Sequence, residues 1–110
     1  MSQQTLPFER AHQTLSKIEE NMLVYDKNGK RIGAVKDVQY ASASSDILSK
    51  TLEFFRLPLE IQMYLMRYGY IQIDRGVMEH DCFATPDEVI EFRGSKLRLS
   101  KLSDDLITTA

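Results

Sequence analysis

Hydrophobic and polar positions follow one another along this chain in two different rhythms. Between Leu6 and Ile18, the residues Phe8, Ala11, Leu15 and Ile18 recur at helical spacing, with polar residues between them. Pro7 suits the first turn of such a helix, where no hydrogen-bond donor is needed. The stripe is narrow, which predicts a short helix or a docked arm over residues 1–20. Its apolar face needs a partner, either the sheet that follows or a second chain.

From Asn21 the period shortens. Met22 to Asp26 reads as a strand and Arg31 to Tyr40 as its partner, with Lys27-Asn28-Gly29-Lys30 between them. Asn-Gly is a strong hairpin signal, because a type I′ turn needs positive φ at both central residues. On the second arm Ile32, Ala34, Val38 and Tyr40 share one side, while Val35 breaks the alternation. Gly33 in mid-strand predicts a bend or bulge. Ala41 to Lys50 is small and polar, a loop or hairpin tip that contains Asp46. Thr51 to Leu57 reads as a third strand. Pro58 then opens a helical stripe of Ile61, Tyr64, Leu65 and Tyr68, which Gly69 closes.

Beyond Gly69 the pattern is extended again through Tyr70, Ile71 and Ile73, and Arg75-Gly76 turns the chain. Asp81 to Ala84 is a further short strand, and Thr85-Pro86-Asp87-Glu88 has the form of a capped helical turn. Val89 to Arg93 and Lys96 to Leu99 form a second hairpin around Gly94-Ser95, and Ser100 to Ile107 ends as a short helix or last turn. This succession predicts a mainly β fold: a small antiparallel β-barrel of about six short strands with one or two short helices. It would occupy residues 21–107 as a single domain.

Composition narrows the class. The 110 residues are 43% hydrophobic and 27% charged, a globular balance rather than a disordered or collagen-like one. With 14 basic and 16 acidic residues the formal charge is −2, which argues against broad affinity for nucleic acid or anionic membrane. One cysteine makes no internal disulfide. Neither a signal-peptide pattern nor an apolar run of about 20 residues occurs, so no membrane insertion and a cytoplasmic setting are expected.

The order of elements resembles the PRC-barrel family, named after the cytoplasmic domain of the photosynthetic reaction-centre H subunit, and within it the small bacterial members. The resemblance rests on Ile18-Glu19-Glu20-Asn21-Met22-Leu23-Val24-Tyr25-Asp26 and on Asn28-Gly29-Lys30-Arg31-Ile32-Gly33-Ala34-Val35-Lys36-Asp37-Val38. It continues in Gly69-Tyr70-Ile71-Gln72-Ile73-Asp74 and Cys82-Phe83-Ala84-Thr85-Pro86-Asp87-Glu88-Val89. The family often has glycine where Asn21 stands, and asparagine tolerates the left-handed backbone that glycine would supply. Thr51 to Tyr68 is the least typical stretch. These motifs are turn and core positions, so the resemblance implies a fold and an adaptor role in larger assemblies, with no catalytic residues to carry over.

Candidate chemistry is sparse. His80-Asp81-Cys82 brings a nucleophile, a base and a carboxylate together, and residues two apart in a strand share a face. Against it, Cys82 reads as a small core residue and His80 as part of a solvated turn. Metal binding would add Glu79 or His12, without the paired close spacings of zinc sites. Asp26 superficially opens a calcium loop, but Arg31 stands where such a loop needs glycine. No phosphate-cradling glycine motif occurs, and Asp87, Glu88 and Glu91 read as cap and solvated strand positions. Arg56, Arg67, Arg75, Arg93 and Arg98 are interleaved with Phe55, Tyr64, Tyr68, Tyr70 and Phe92, a pattern of single-stranded RNA binders offset here by nearby acids.

The most suggestive surface is Glu53 to Tyr70. Phe54, Phe55, Met63, Tyr64, Met66 and Tyr68 form a Met–aromatic set suited to docking or dimerisation, or else to wrapping the helix deeply into the core. The expected function is a non-catalytic protein-interaction or adaptor module without cofactor or metal. It would bind a protein partner whose identity the sequence does not specify, or a second copy of itself as a homodimer. The alternatives are an RNA-processing or ribosome-assembly accessory, and a small Cys/His enzyme or thiol redox sensor.

Overall fold

In a computed structural model that describes residues 7–41 and 49–109, the first hairpin joins β1 (Leu23–Tyr25) to β2 (Arg31–Gln39). Its turn is not the expected type I′ form. Gly29 has φ of +82° but Asn28 does not enter the positive-φ region. The Asp26 carboxylate accepts hydrogen bonds from the amides of Asn28 and Lys30 at 2.8 and 2.9 Å, and Gly29 N donates to Asp26 O. Capping by an aspartate favours this longer turn with its left-handed glycine, and the strand register slips between Val24 and Tyr25. Asn21 adopts φ of +74°, the left-handed backbone that the sequence comparison anticipated there.

The N-terminal helix, α1 (Pro7–Ser16), precedes this hairpin. Leu15 and Ile18 are buried, whereas Leu6 and the Phe8 side chain lie outside the described residues. So does most of the loop around Asp46. The expected third strand is instead the short helix α2 (Leu52–Phe55), because the Thr51 side chain caps it by accepting from Phe54 N. Then follow α3 (Leu59–Tyr68), β3 (Tyr70–Asp74), β4 (Cys82–Ala84) and a 3₁₀ turn over Pro86–Glu88. Thr85 and Glu88 close that turn as a capping box. The second hairpin, β5 (Val89–Arg93) and β6 (Lys96–Leu99), leads to another 3₁₀ turn and to β7 (Ile107–Thr108).

These strands form a seven-stranded mixed sheet in the order β5-β6-β1-β2-β3-β4-β7. Two features depart from the antiparallel barrel. β1 runs parallel to β6, with Leu23 opposite Lys96 and Tyr25 opposite Arg98. The sheet is also open, since no ladder joins β5 to β7 among the described residues. β7 pairs with β4 through only two positions, too little to carry a closing seam. Leu15 and Ile18 from the N-terminal segment enter the cluster that a closing strand pair would otherwise cover.

The sheet is curled all the same. Val24, Val35, Ile71, Ile73, Cys82, Ala84, Leu97 and Leu99, from five different strands, meet in one aliphatic cluster. Gly33 permits the tight curl between β2 and β3, because a Cβ there would lie 2.0 Å from the Asp74 carbonyl oxygen. A bulge at Lys36 interrupts the β2–β3 register, so Val35 turns inward to full burial. β3 and β4 are buried on both faces. Their opposite side carries Tyr70, Gln72 and Phe83, and there α2, α3 and the link between them pack through Phe54, Leu65 and Leu57.

Candidate interaction site

The helical layer is fixed to the sheet by an aromatic anchor and a polar tie, and a second polar tie joins its two helices. Phe54 is fully buried and stacks on Tyr70, with ring centroids 5.2 Å apart, and meets Phe83 edge-on at 6.5 Å. Thr51 Oγ1 donates to Gln72 Oε1 at 2.6 Å while capping α2. Gln62 Nε2 donates to the carbonyls of Leu57 at 2.8 Å and Phe55 at 3.2 Å, which binds α3 to α2.

What this anchoring leaves outside is apolar. Phe55, Met63, Tyr64 and Tyr68 are exposed, Met63 by 62% of its surface, together with Leu52 and Leu59. Of the six residues singled out from the sequence, four therefore share the outer surface. Phe54 does not: it is the core anchor, and its burial explains why α2 forms at all. Met66 is half-buried against the same aromatic cluster. Tyr68, which helical spacing assigned to the packing stripe as well, instead stands outside beside Tyr64, with ring centroids 5.1 Å apart. Leu52 and Leu59 escaped the sequence reading because Leu52 lay in a supposed strand and Leu59 lay off the α3 stripe. Around α3 the outer surface forms a shallow groove of about 640 Å³ lined by Glu60, Met63, Tyr64, Met66, Arg67 and Tyr68.

Beneath the helices lies a chain of polar groups. Gln72 Nε2 donates to Asp81 Oδ2 at 2.7 Å, and Lys36 Nζ reaches the same oxygen at 3.2 Å and Glu53 at 3.8 Å. Partial burial opposes the charge of Lys36, but its bond to Asp81 and the nearby carboxylates outweigh this and raise its pKa. Since Gln72 and Asp81 are buried, these bonds satisfy them rather than expose a reactive group. The Tyr70 hydroxyl finds no hydrogen-bond partner among the described residues, and desolvation, aided by Asp37, drives its pKa upward.

The His80-Asp81-Cys82 triplet does not assemble into a nucleophilic site. Cys82 is fully buried in the aliphatic cluster, and desolvation pushes its thiol up to about 12, against a smaller opposing effect of Arg75. Such a group stays protonated at neutral pH and is a poor nucleophile. His80 is exposed, its Nδ1 3.2 Å from Thr109 Oγ1, and Asp81 is engaged with Gln72 and Lys36. No cluster of three metal-ligating side chains occurs among the described residues. Asp26 is occupied by its turn amides. The five arginines of the candidate RNA surface are spread over different elements, and Arg75 and Arg98 pair with Glu79 and Glu91. No described helix is long and apolar enough to cross a membrane.

The fold and this surface define a mainly β domain carrying an externally apolar helical layer. No family model, curated protein or solved structure matches the chain.

Proposed function

We propose that this chain is a non-catalytic interaction module of the PRC-barrel-like kind, which docks on a protein partner through the outer face of α2 and α3 and also self-associates there. One observation carries the reading. The inner residues Phe54, Leu57 and Leu65 are sealed against the sheet, while Leu52, Phe55, Leu59, Met63, Tyr64 and Tyr68 stay exposed on the same layer. A rigid support presenting methionine and tyrosine suits docking, because these side chains contribute contact area and adapt to different partners. The curl around an aliphatic cluster and the left-handed Asn21 support the family likeness. The open edge and the parallel β1–β6 pair depart from the closed antiparallel barrel expected from the sequence.

Solution mass by light scattering, with thiol titration on the same sample, tests the reading. A dimer whose Cys82 reacts only after unfolding is expected. A monomer at every concentration would remove self-association, and a fast-reacting thiol in the native protein would overturn the non-catalytic assignment.

A further inference from the structure

A second surface, away from the helical layer, concentrates positive charge. The segments 25–31 and 91–98 contain six basic and two acidic residues, a formal charge of +4 in a chain of −2. The rest of the chain therefore carries −6. Both acids are already engaged: Asp26 caps the turn amides, and Glu91 lies 3.3 Å from Arg98. A cleft of about 310 Å³ on this outer sheet face is lined by Tyr25, Gly29, Arg93, Lys96 and Arg98, among others.

The strand register orders these charges. Residues directly opposite across neighbouring strands share a face. One cross-strand row runs Arg93, Lys96, Leu23, and the next runs Glu91, Arg98, Tyr25, Arg31. The rows are two residues apart, about 6.8 Å along the strands. Arg98 is held in place by Glu91 and by its bond to the Lys27 carbonyl at 3.1 Å, and the Lys96 ammonium lies 5.7 Å from the Tyr25 ring centre. Cations at this interval match carboxylates on alternate residues of an extended chain, whose side chains repeat at the same distance.

We infer that the outer face of β5, β6 and β1 is a binding site for an acidic, extended segment of a partner protein. The cations of the two rows pair with its alternate carboxylates, while the side chains between those carboxylates point away from the sheet. A short segment fits better than a nucleic acid strand. Beyond the patch a long polyanion would meet the −6 remainder of the chain, whereas a hexapeptide, about 20 Å long, extends little past it.

The test is fluorescence anisotropy of the whole chain with a labelled hexapeptide of alternating Glu and Val, against a Gln–Val control. Binding that weakens as salt rises is expected, as is a loss of at least about tenfold in the double variant Arg93→Gln/Lys96→Gln. Both side chains are exposed and serve no cap or buried bond, and an unchanged circular dichroism melt would establish that the variant folds. Arg56→Gln, just after α2 and outside the lining of the cleft, should bind as the parent does. Equal affinity for the Glu and Gln peptides, or unchanged binding in the double variant, would overturn the site. Tighter binding of a single-stranded oligouridylate, lost in the same variant, would overturn the peptide assignment in favour of RNA. A mass increase at low salt that Arg93→Gln/Lys96→Gln abolishes would make a second copy of this chain the occupant.

Discussion

The two apolar clusters on opposite faces of β3 and β4 differ in composition and in how completely they are covered. The inner one is aliphatic, drawn from five strands and closed by Leu15 and Ile18. The outer one is aromatic, centred on Phe54, Tyr70 and Phe83, and roofed by only two short helices. A curled sheet encloses its inner face from several sides, so alternating residues suffice. The outer face needs an added layer, and that layer brings apolar residues to the surface that no described residue covers. Both clusters are buried, but only the outer one lies under a layer with exposed apolar side chains, the surface proposed for docking.

The strongest way to break this comparison is to remove the anchor between them. Phe54→Ala should cost about 3–5 kcal/mol, and Leu97→Ala about 2–5 kcal/mol, in urea unfolding followed by circular dichroism. The two losses should differ in kind. With Phe54 gone, amide exchange should accelerate in α2 and α3 before it does in β1 and β2. Without Leu97 it should accelerate throughout the sheet. If Phe54→Ala loosens β1 and β2 equally, the two clusters are one cooperative unit and the division fails.

High pH sharpens the inner side of the comparison. Cys82 has a folded pKa near 12 against an ordinary value of 9.0, so the unfolded chain loses this proton first. Folding stability from this group is therefore intact below pH 9 and falls as pH rises toward 12, by about 1.4 kcal/mol per pH unit at most. Tyr70, shifted in the same direction, adds to the fall at the upper end. The urea midpoint should drop more steeply above pH 9 in the parent than in Cys82→Ala. Parallel slopes would mean that Cys82 is reached by solvent in the folded protein.

The inner face and α3 were legible in the sequence, whereas α2 and the β1–β6 pairing were not, for a physical reason. Alternation in Met22–Asp26 and Arg31–Tyr40, the Thr85–Glu88 cap and the Gly94 turn are local signals, and the corresponding elements formed. The parallel pairing of β1 with β6 joins residues more than 70 positions apart, and no local pattern encodes it. Thr51 to Leu57 failed because its apolar residues suit either a strand or a helical turn. The choice was made by Tyr70 and Gln72, which receive Phe54 and Thr51 across the sheet. Side-chain type picked out Phe55, Met63, Tyr64 and Tyr68, which are exposed, but it also took in Phe54, which is buried.

A smaller effect is expected where the chain passes from β4 to β5, beside the outer layer. Thr85 Oγ1 lies 2.9 Å from Glu88 Oε1, which also accepts from Thr85 N at 2.9 Å, and Lys101 Nζ lies 3.1 Å from Glu88 Oε2. The Glu88 bond raises the Lys101 pKa. Thr85→Ala should cost about 0.5–2 kcal/mol in urea unfolding, the usual loss for a helix cap. Lys101→Ala should cost less, because its ammonium is half in solvent. A larger loss for Lys101→Ala would show that the ion pair, not the cap, holds this connection.

The least effect on stability should come from the residues proposed to matter most for docking. Met63→Ser and Tyr68→Ser alter exposed side chains that stand outside both clusters, so each should shift unfolding by no more than about 0.5 kcal/mol. The same two substitutions together should convert a dimer to a monomer in light scattering, since the proposed association uses the surface that folding leaves bare. This separation of effects is the sharpest form of the comparison. Side chains of the sealed side change stability and leave the mass of the folded protein alone, whereas those of the open side change mass and leave stability alone. A Met63→Ser/Tyr68→Ser protein that unfolds several kcal/mol more easily would show that these residues complete the outer cluster instead of serving a partner.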